Sequence, residues 1–324
     1  MKKVLVVLGV LALLLCGCGE KTQDENGKNK IGAIQLVEHP ALDEATKGFY
    51  DGLAENGYVE GENVEIDFQS AQGQTDTCET IANKFVNASV DLIFANATPA
   101  AQAVAQKTTD IPIVVTSVTD PATSGLVESN EMPNTNVTGS SDLNPVNEQV
   151  ELIQTMFPET KTVAVMYCSS EDNSIFQYEL AKKAIEAHGM TCVAATVADL
   201  SSITPVAESL VGKVDAIYIG TDNLLAANMP SVAQVTNENK IPVFCGEEGM
   251  CSSGGFATYS LSYYNLGKLA GKMAADILNG ADPATMPIGY LASEDLELII
   301  NKTTADAIGY EIPEELAAIA KIIE

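Results

Sequence analysis

Apolar and polar positions along the chain switch repeatedly between two periods. Ile31 to Val37 is an apolar run of strand length, followed by Glu38-His39-Pro40. Leu42, Ala45, Phe49 and Leu53 then recur at helical spacing, with Gly57 as a stop. Val64, Ile66 and Phe68 alternate as a second strand, and a polar turn leads to a helix carrying Ile81, Phe85 and Val86. Asp91 to Ala95 predicts a third strand that ends in Asn96-Ala97-Thr98-Pro99, followed by an Ala-rich helix. The run from Ile111 to Val118 is continuous, apolar and rich in β-branched residues, as expected of a buried parallel strand. It ends in Thr119-Asp120-Pro121, a helix-start signal in which a side-chain oxygen caps free backbone N–H groups.

The stretch from Ser124 to Gly139 is rich in Asn, Ser, Pro and Gly, and the βα pattern restarts after it. A helix is expected near Val146 to Phe157 and a strand over Thr162 to Tyr167. A helix opened by Ser174 runs to His188-Gly189, and strands follow over Thr191 to Val197, Asp215 to Gly220 and Ile241 to Phe244. Gly255 to Tyr264 reads as a strand returning to the first half, Leu266 to Leu278 as a helix, Leu296 to Ile300 as a last strand and Pro313 to Ile323 as a terminal helix. The fold class is α/β: two Rossmann-like lobes with parallel sheets, joined by a hinge of several chain crossings. The expected lobes are 31–141 plus 263–292 and 142–262 plus 293–324. Small polar groups recur at carboxyl ends of strands, where open α/β sheets bind ligands.

Charge narrows the partners. The formal net charge is −27, which argues against nucleic acid or an anionic membrane surface as a partner. The chain has no Arg, so a bidentate guanidinium clamp on a carboxylate or phosphate is excluded. Lys2 and Lys3 precede an apolar core, Val4 to Leu15, too short to span a membrane. Leu15-Cys16-Gly17-Cys18 resembles a bacterial lipobox, with Cys18 as the lipidated residue ending a signal segment 1–18. Residues 19–30 are polar and aperiodic, as expected of a flexible tether. Cys78, Cys168, Cys192, Cys245 and Cys251 form an odd set; Cys245 and Cys251 pair across a short loop or all five stay free thiols. No spacing fits a metal finger, and neither a metal nor a cofactor is expected.

Several motifs together resemble one family. Ile34 to Asp43, Ala97 to Gln102, Val118 to Pro121, Asn136 to Gly139, Ser141-Asp142-Leu143 and Thr221-Asp222-Asn223 are similar to the substrate-binding lipoproteins of ABC importers in the tryptophan/tyrosine (TrpX-like) group. The resemblance covers nearly all of the chain after the signal. It implies a type I periplasmic-binding-protein fold, an amino-acid ligand, often aromatic, between the lobes, and permease and ATPase partners. It further implies a monomer held outside the bacterial cell membrane by its N-terminal lipid. Gly246 to Cys251 carries more acid than the family pattern, and Cys168 to Asp172 replaces an expected Gly- or Pro-containing turn.

A free amino acid presents an ammonium, a carboxylate and a side chain. Without Arg, the carboxylate is expected at helix N-termini and hydroxyls, with Thr98, Thr119, Asn173 and Ser174 as candidates. Asp222 and Asp120, then Glu247, are the candidate ammonium acceptors, and Thr221 accompanies Asp222. Gln35 ends a cleft-facing strand, His39 stacks on the ligand or forms a mouth wall, and Tyr263 contributes a ring. Capping or core hydrogen bonding is the competing role for each polar residue. Burying an aromatic side chain adds about 4–6 kcal/mol, enough for micromolar binding after association costs. The same fold around an apolar amino acid or a small heterocycle is the alternative. An extracytoplasmic enzyme is disfavoured because no Walker A, Gly-x-Ser-x-Gly or His-Glu-x-x-His motif is present. A sensor is disfavoured because no spanning run follows the lobes.

Overall fold

The computed structural model describes residues 27–324. The signal segment 1–18, the lipidation position Cys18 and tether residues up to 26 lie outside the described residues. The first lobe contains β1 (Asn29–Gln35), α1 (Pro40–Glu55), β2 (Val64–Ser70), α2 (Thr75–Asn87), β3 (Leu92–Asn96), α3 (Thr98–Ala105), β4 (Ile113–Val118) and β5 (Val137–Ser141). Its strands form a parallel sheet in the order β2-β1-β3-β4-β5. The sheet begins inside the expected tether, since Asn29 and Lys30 already pair with Val64 and Glu65.

The second lobe follows with α4 (Val146–Met156), β6 (Thr162–Cys168), α5 (Asp172–Ala187), β7 (Thr191–Val197), α6 (Ile203–Leu210), β8 (Ala216–Ile219), α7 (Asn223–Ala227), α8 (Met229–Glu238), β9 (Val243–Cys245), α9 (Glu248–Ser252) and β10 (Ala257–Ser260). The chain then makes α10 (Tyr263–Leu278), β11 (Glu297–Asn301), α11 (Lys302–Ile308), α12 (Glu314–Ala317) and β12 (Lys321–Ile323). The second sheet runs β12-β11-β10-β9-β8-β6-β7.

Two expectations change. The strand within Gly255 to Tyr264 does not return to the first lobe: β10 pairs with β9 and, antiparallel, with β11. Its neighbour Phe256 packs edge-to-face on Phe244 of β9 and closes the second core. An alternating pattern predicts a strand but not which sheet accepts it. The return comes one step later, as α10 leaves for α1. The terminal helix is a single turn, and Ile322 and Ile323 add an edge strand beside Ile300 and Asn301. β-Branched residues favour that extended pairing over more helix. The five cysteines are free thiols.

Within the first lobe α1 and α10 form a close helix pair. Gly48 and Gly52 on α1 face Tyr264 and Lys268, while Gly267 and Gly271 on α10 face Ala45 and Phe49. A Cβ at Gly267 would run into the Ala45 carbonyl, and one at Gly48 into the Tyr264 carbonyl. Both obstacles are backbone, so the helices must part if a side chain is added. Crossing segments are tied directly: Leu261 N–H donates to Asn144 Oδ1 at 2.9 Å, and Tyr263 O–H to Asp142 Oδ2 at 2.5 Å. Gly267→Ala should therefore lower stability by about 1–3 kcal/mol, the usual cost of overpacking, measured by chemical denaturation. A loss below about 0.5 kcal/mol would show that the helices separate freely.

Candidate functional site

The carboxyl ends of the strands of both sheets converge on one cavity. The first lobe supplies His39, Leu42, Ser117 and Thr119, and the second Asn173, Thr221, Asp222, Asn223, Ala226 and Glu247. Asp142 and Tyr263, both at crossings between the lobes, complete the wall. The cavity measures about 10 Å³, room for one water molecule. The lobes touch across it. Thr119 and Thr221 share a hydrogen bond at 3.2 Å, and Gln177 Nε2 donates to Thr221 Oγ1 at 2.6 Å and to Thr119 Oγ1 at 3.2 Å. Farther out, Gln102 Nε2 donates to Asp172 Oδ2 at 2.8 Å. Anything as large as an amino acid enters only when these contacts part.

Local backbone geometry aims the first-lobe groups. The register of β4 and β5 shifts between Val115 and Val118, and Ser117 sits inside the shift at φ +54°. Bulges of this kind re-aim side chains beside binding sites. Ala97, at φ +90°, bends the chain sharply after β3. Left-handed backbone at non-glycine residues costs about 1–3 kcal/mol and clusters at functional sites.

Seven of the expected residues line the cavity: His39, Thr119, Asn173, Thr221, Asp222, Glu247 and Tyr263. Four do not. Gln35 is buried behind the first strand, donating to Asp43 and Val37 and accepting from Thr46. Thr98 is buried in the first turn of α3, away from the lining. Asp120 accepts from Thr123 N–H at 2.7 Å and Asn130 Nδ2 at 3.0 Å, closing its own turn. Ser174 stands behind Asn173 and bonds to Asp222.

The expected ammonium acceptors are engaged by backbone. Asp222 Oδ1 accepts from Leu225 N–H at 2.9 Å and Oδ2 from Cys168 N–H at 2.6 Å, so it caps α7 and clips the end of β6. Glu247 caps α9 through the N–H groups of Gly249 and Met250. Glu171, absent from the sequence expectations, accepts from Asn223 and from Leu224 N–H. Short α7 and α9 begin in the interior, where free N–H groups have no water, and these carboxylates satisfy them.

Asp142, which was not among the expected site residues, is the wall carboxyl with the fewest partners. It is 3% exposed, its Oδ2 is held by Tyr263, and its Oδ1 has no partner. His39 Nδ1 and Nε2, Ser117 Oγ and Asn173 Oδ1 are also buried without partners. Most of the unpartnered buried side-chain atoms among the described residues thus lie on this one cavity. Each such group costs about 1–3 kcal/mol unless a ligand satisfies it. Asp142 is visible in the sequence as the residue after Ser141, and Ser117 as a strand-end hydroxyl. Neither carries a turn signal of the kind that drew attention to Asp120 and Asp222.

The helix N-termini sort into two kinds. Those of α7 and α9 are capped by carboxylates, whereas the 16-residue helices α1 and α5 have no side-chain cap. Leu42 and Asn173, in the first turns of α1 and α5, both face the cavity. An uncapped N-terminus with neighbouring hydroxyls suits a ligand carboxylate, and an unpaired carboxylate oxygen suits an ammonium.

Comparison with known proteins agrees with this geometry. Residues 30–323 match the family model described as ABC transporter substrate binding protein. A curated "Tyrosine-binding protein" of Clostridioides difficile (strain R20291) is 41% identical over 315 residues, covering 94% of this chain and 91% of that protein. The crystal structure of an ABC domain in complex with L-Trp from Streptococcus pneumonia superposes with a TM-score of 0.88 at 37% identity, covering 92% of this chain and 100% of that one. A ligand-free, open substrate binding protein with adhesive properties from Clostridium difficile gives 0.70 at 42% identity, covering 91% and 99%. The lower score at the higher identity accords with lobes that are closed here.

Burial raises the pKa of three wall carboxyls. Asp142 is pushed up to about 6 by loss of solvent, against the opposing bonds from Tyr263 and Thr119. Glu247 is pushed up to about 7 by burial despite its cap bonds. Asp222 is raised by burial and by the charge of Glu171. A carboxyl with a raised folded pKa contributes stability that is complete below its ordinary value and lost as pH rises through the folded one. The free protein should therefore melt several degrees higher at pH 5 than at pH 8, and Asp142→Asn should flatten part of that slope. A melting temperature that rises from pH 5 to pH 8 would contradict the assignment.

Proposed function

Because the chain belongs to the family of ABC transporter substrate-binding proteins, we propose that it binds a free aromatic amino acid between its lobes and delivers it to a membrane permease driven by an ATPase. The observation that carries this reading is the set of unpartnered polar atoms on the cavity between the lobes, headed by Asp142 Oδ1. Ammonium bonds to Asp142 Oδ1 and Asn173 Oδ1. The carboxylate meets the uncapped start of α5 and the hydroxyls of Ser117 and Thr119, which line the same cavity. The side chain then extends toward Leu42 and Ala226, which supply the apolar lining. The tyrosine-binding relative and the L-Trp complex support an aromatic ligand.

Family membership places the protein outside the cytoplasm as the ligand-collecting component of a transporter. It acts by binding and release as a monomer, attached to the cell membrane through lipid on Cys18 and the polar stretch that follows. Closing the lobes on a ligand replaces the contacts between Thr119, Thr221 and Gln177 with bonds through the amino acid.

Asp142→Asn should weaken binding of the preferred aromatic amino acid by about ten- to a hundredfold, the worth of one charge-assisted bond, while the protein stays folded. Titration calorimetry on wild type and variant checks this. Equal affinities in a folded variant would remove Asp142 as the ammonium anchor.

A further inference from the structure

Asn173 has one end of its amide engaged and the other free. It is buried, lines the cavity, and its Oδ1 has no partner. Its Nδ2 donates to the Thr221 carbonyl at 2.9 Å and to Glu171 Oε2 at 3.3 Å. Glu171 is buried as well but is not part of the cavity lining. It occupies the N-cap position of α5, yet that helix has no side-chain cap. The carboxylate turns away from its own helix and reaches α7. Its Oε1 accepts from Leu224 N–H at 3.0 Å, and its Oε2 from Asn223 N–H at 3.2 Å and Asn223 Nδ2 at 2.6 Å. These donors hold the carboxylate in place behind Asn173.

A carboxylate and a carbonyl accept hydrogen bonds and have none to give. Turning the Asn173 amide over would set its oxygen against both of them and aim two N–H donors at the ligand. The Thr221 carbonyl also accepts from Gln177 Nε2 at 3.1 Å, so it would keep a partner if the amide turned. The charged carboxylate is the stronger bar. Resting on the function proposed above, we infer that Glu171 is a positioning residue for ammonium recognition: by accepting from Asn173 Nδ2 it fixes that amide with its oxygen toward the cavity, and so favours a ligand that carries an ammonium over one that lacks it. Glu171 acts here without touching the ligand, and its charge works through the orientation of a neutral side chain.

Glu171→Gln keeps the length of the side chain but replaces one acceptor with a donor, so the Asn173 amide can turn. The test is competition calorimetry with tyrosine against deaminotyrosine and tryptophan against indolepropionic acid, each acid carrying hydrogen where the amino acid carries its ammonium. Wild type, Glu171→Gln, Asn173→Ala and the double variant are compared, each checked for folding by circular dichroism. Wild type should bind an amino acid at least about tenfold more tightly than its acid. Glu171→Gln should lower that ratio at least about threefold. In the Asn173→Ala background the same change should move the ratio by less than about twofold, because the group it acts through is gone. Should Glu171→Gln fail to fold, Glu171→Asp decides on the same ratio, since its shorter carboxylate caps α5 itself and leaves Asn173. A merely structural role, holding α7, would weaken amino acid and acid alike. An unchanged ratio in the folded variant, whether both ligands weaken or neither does, would therefore overturn the inference and leave the proposed function intact, as would a ratio that still falls without the Asn173 amide. Failure of both tyrosine and tryptophan to bind wild type would overturn the proposed function itself, and this inference with it.

Discussion

A carboxylate buried where the chain crosses between two lobes is the constraint around which the site is arranged. Asp142 sits just past β5, its Oδ2 tied to Tyr263 at the start of α10 and its Oδ1 unpaired. Removing a charge from water without a full set of partners is expensive, and burial accordingly pushes the Asp142 pKa up. On the function proposed above, a ligand cation at Oδ1 would offset it where the chain crosses between the lobes. Asp142 lies on one crossing segment and its side chain bonds to Tyr263 at the other, so that proposal links ligand charge to lobe geometry through one residue.

Such an arrangement needs a frame that does not give way. The glycine contacts between α1 and α10 bring two helix backbones together and fix where α10 begins. The start of α10 places Tyr263, and Tyr263 places Asp142. On the second lobe, Asp222, Glu247 and Glu171 hold the entrances of α7 and α9. These carboxylates satisfy backbone N–H groups that would otherwise compete for the ligand. The wall is therefore acidic without presenting every acid to the cavity, and His39 and Asn223 are left to meet across the cleft.

Most of the architecture was legible along the chain. The apolar stripe Leu42, Ala45, Phe49, Leu53 became the buried face of α1, and the runs at Asp91, Ile111, Thr162 and Asp215 became central strands. Those signals are local: periodicity records which face meets a core. The placement of β10 and the final strand was not legible, because pairing partners far apart in sequence decide it. Motif resemblance named the family that the comparisons show.

The sequence by itself determined that two βα lobes would bring polar strand ends to one cleft, and that without Arg an anionic group must be held by hydroxyls and helix starts. His39, Thr119, Asn173, Thr221, Asp222, Glu247 and Tyr263 were all placed on that cleft by such reasoning. Only the tertiary structure decided which of these acids keeps a free oxygen. Asp120, Asp222 and Asp142 look alike as single residues after a strand. Asp120 closes its own turn, Asp222 is consumed by N–H groups from β6 and α7, and Asp142 meets the hydroxyls of Tyr263 and Thr119 but no helix-start N–H. The difference lies in how many backbone donors each buried oxygen meets, and those donors come from segments that sequence order does not place beside it.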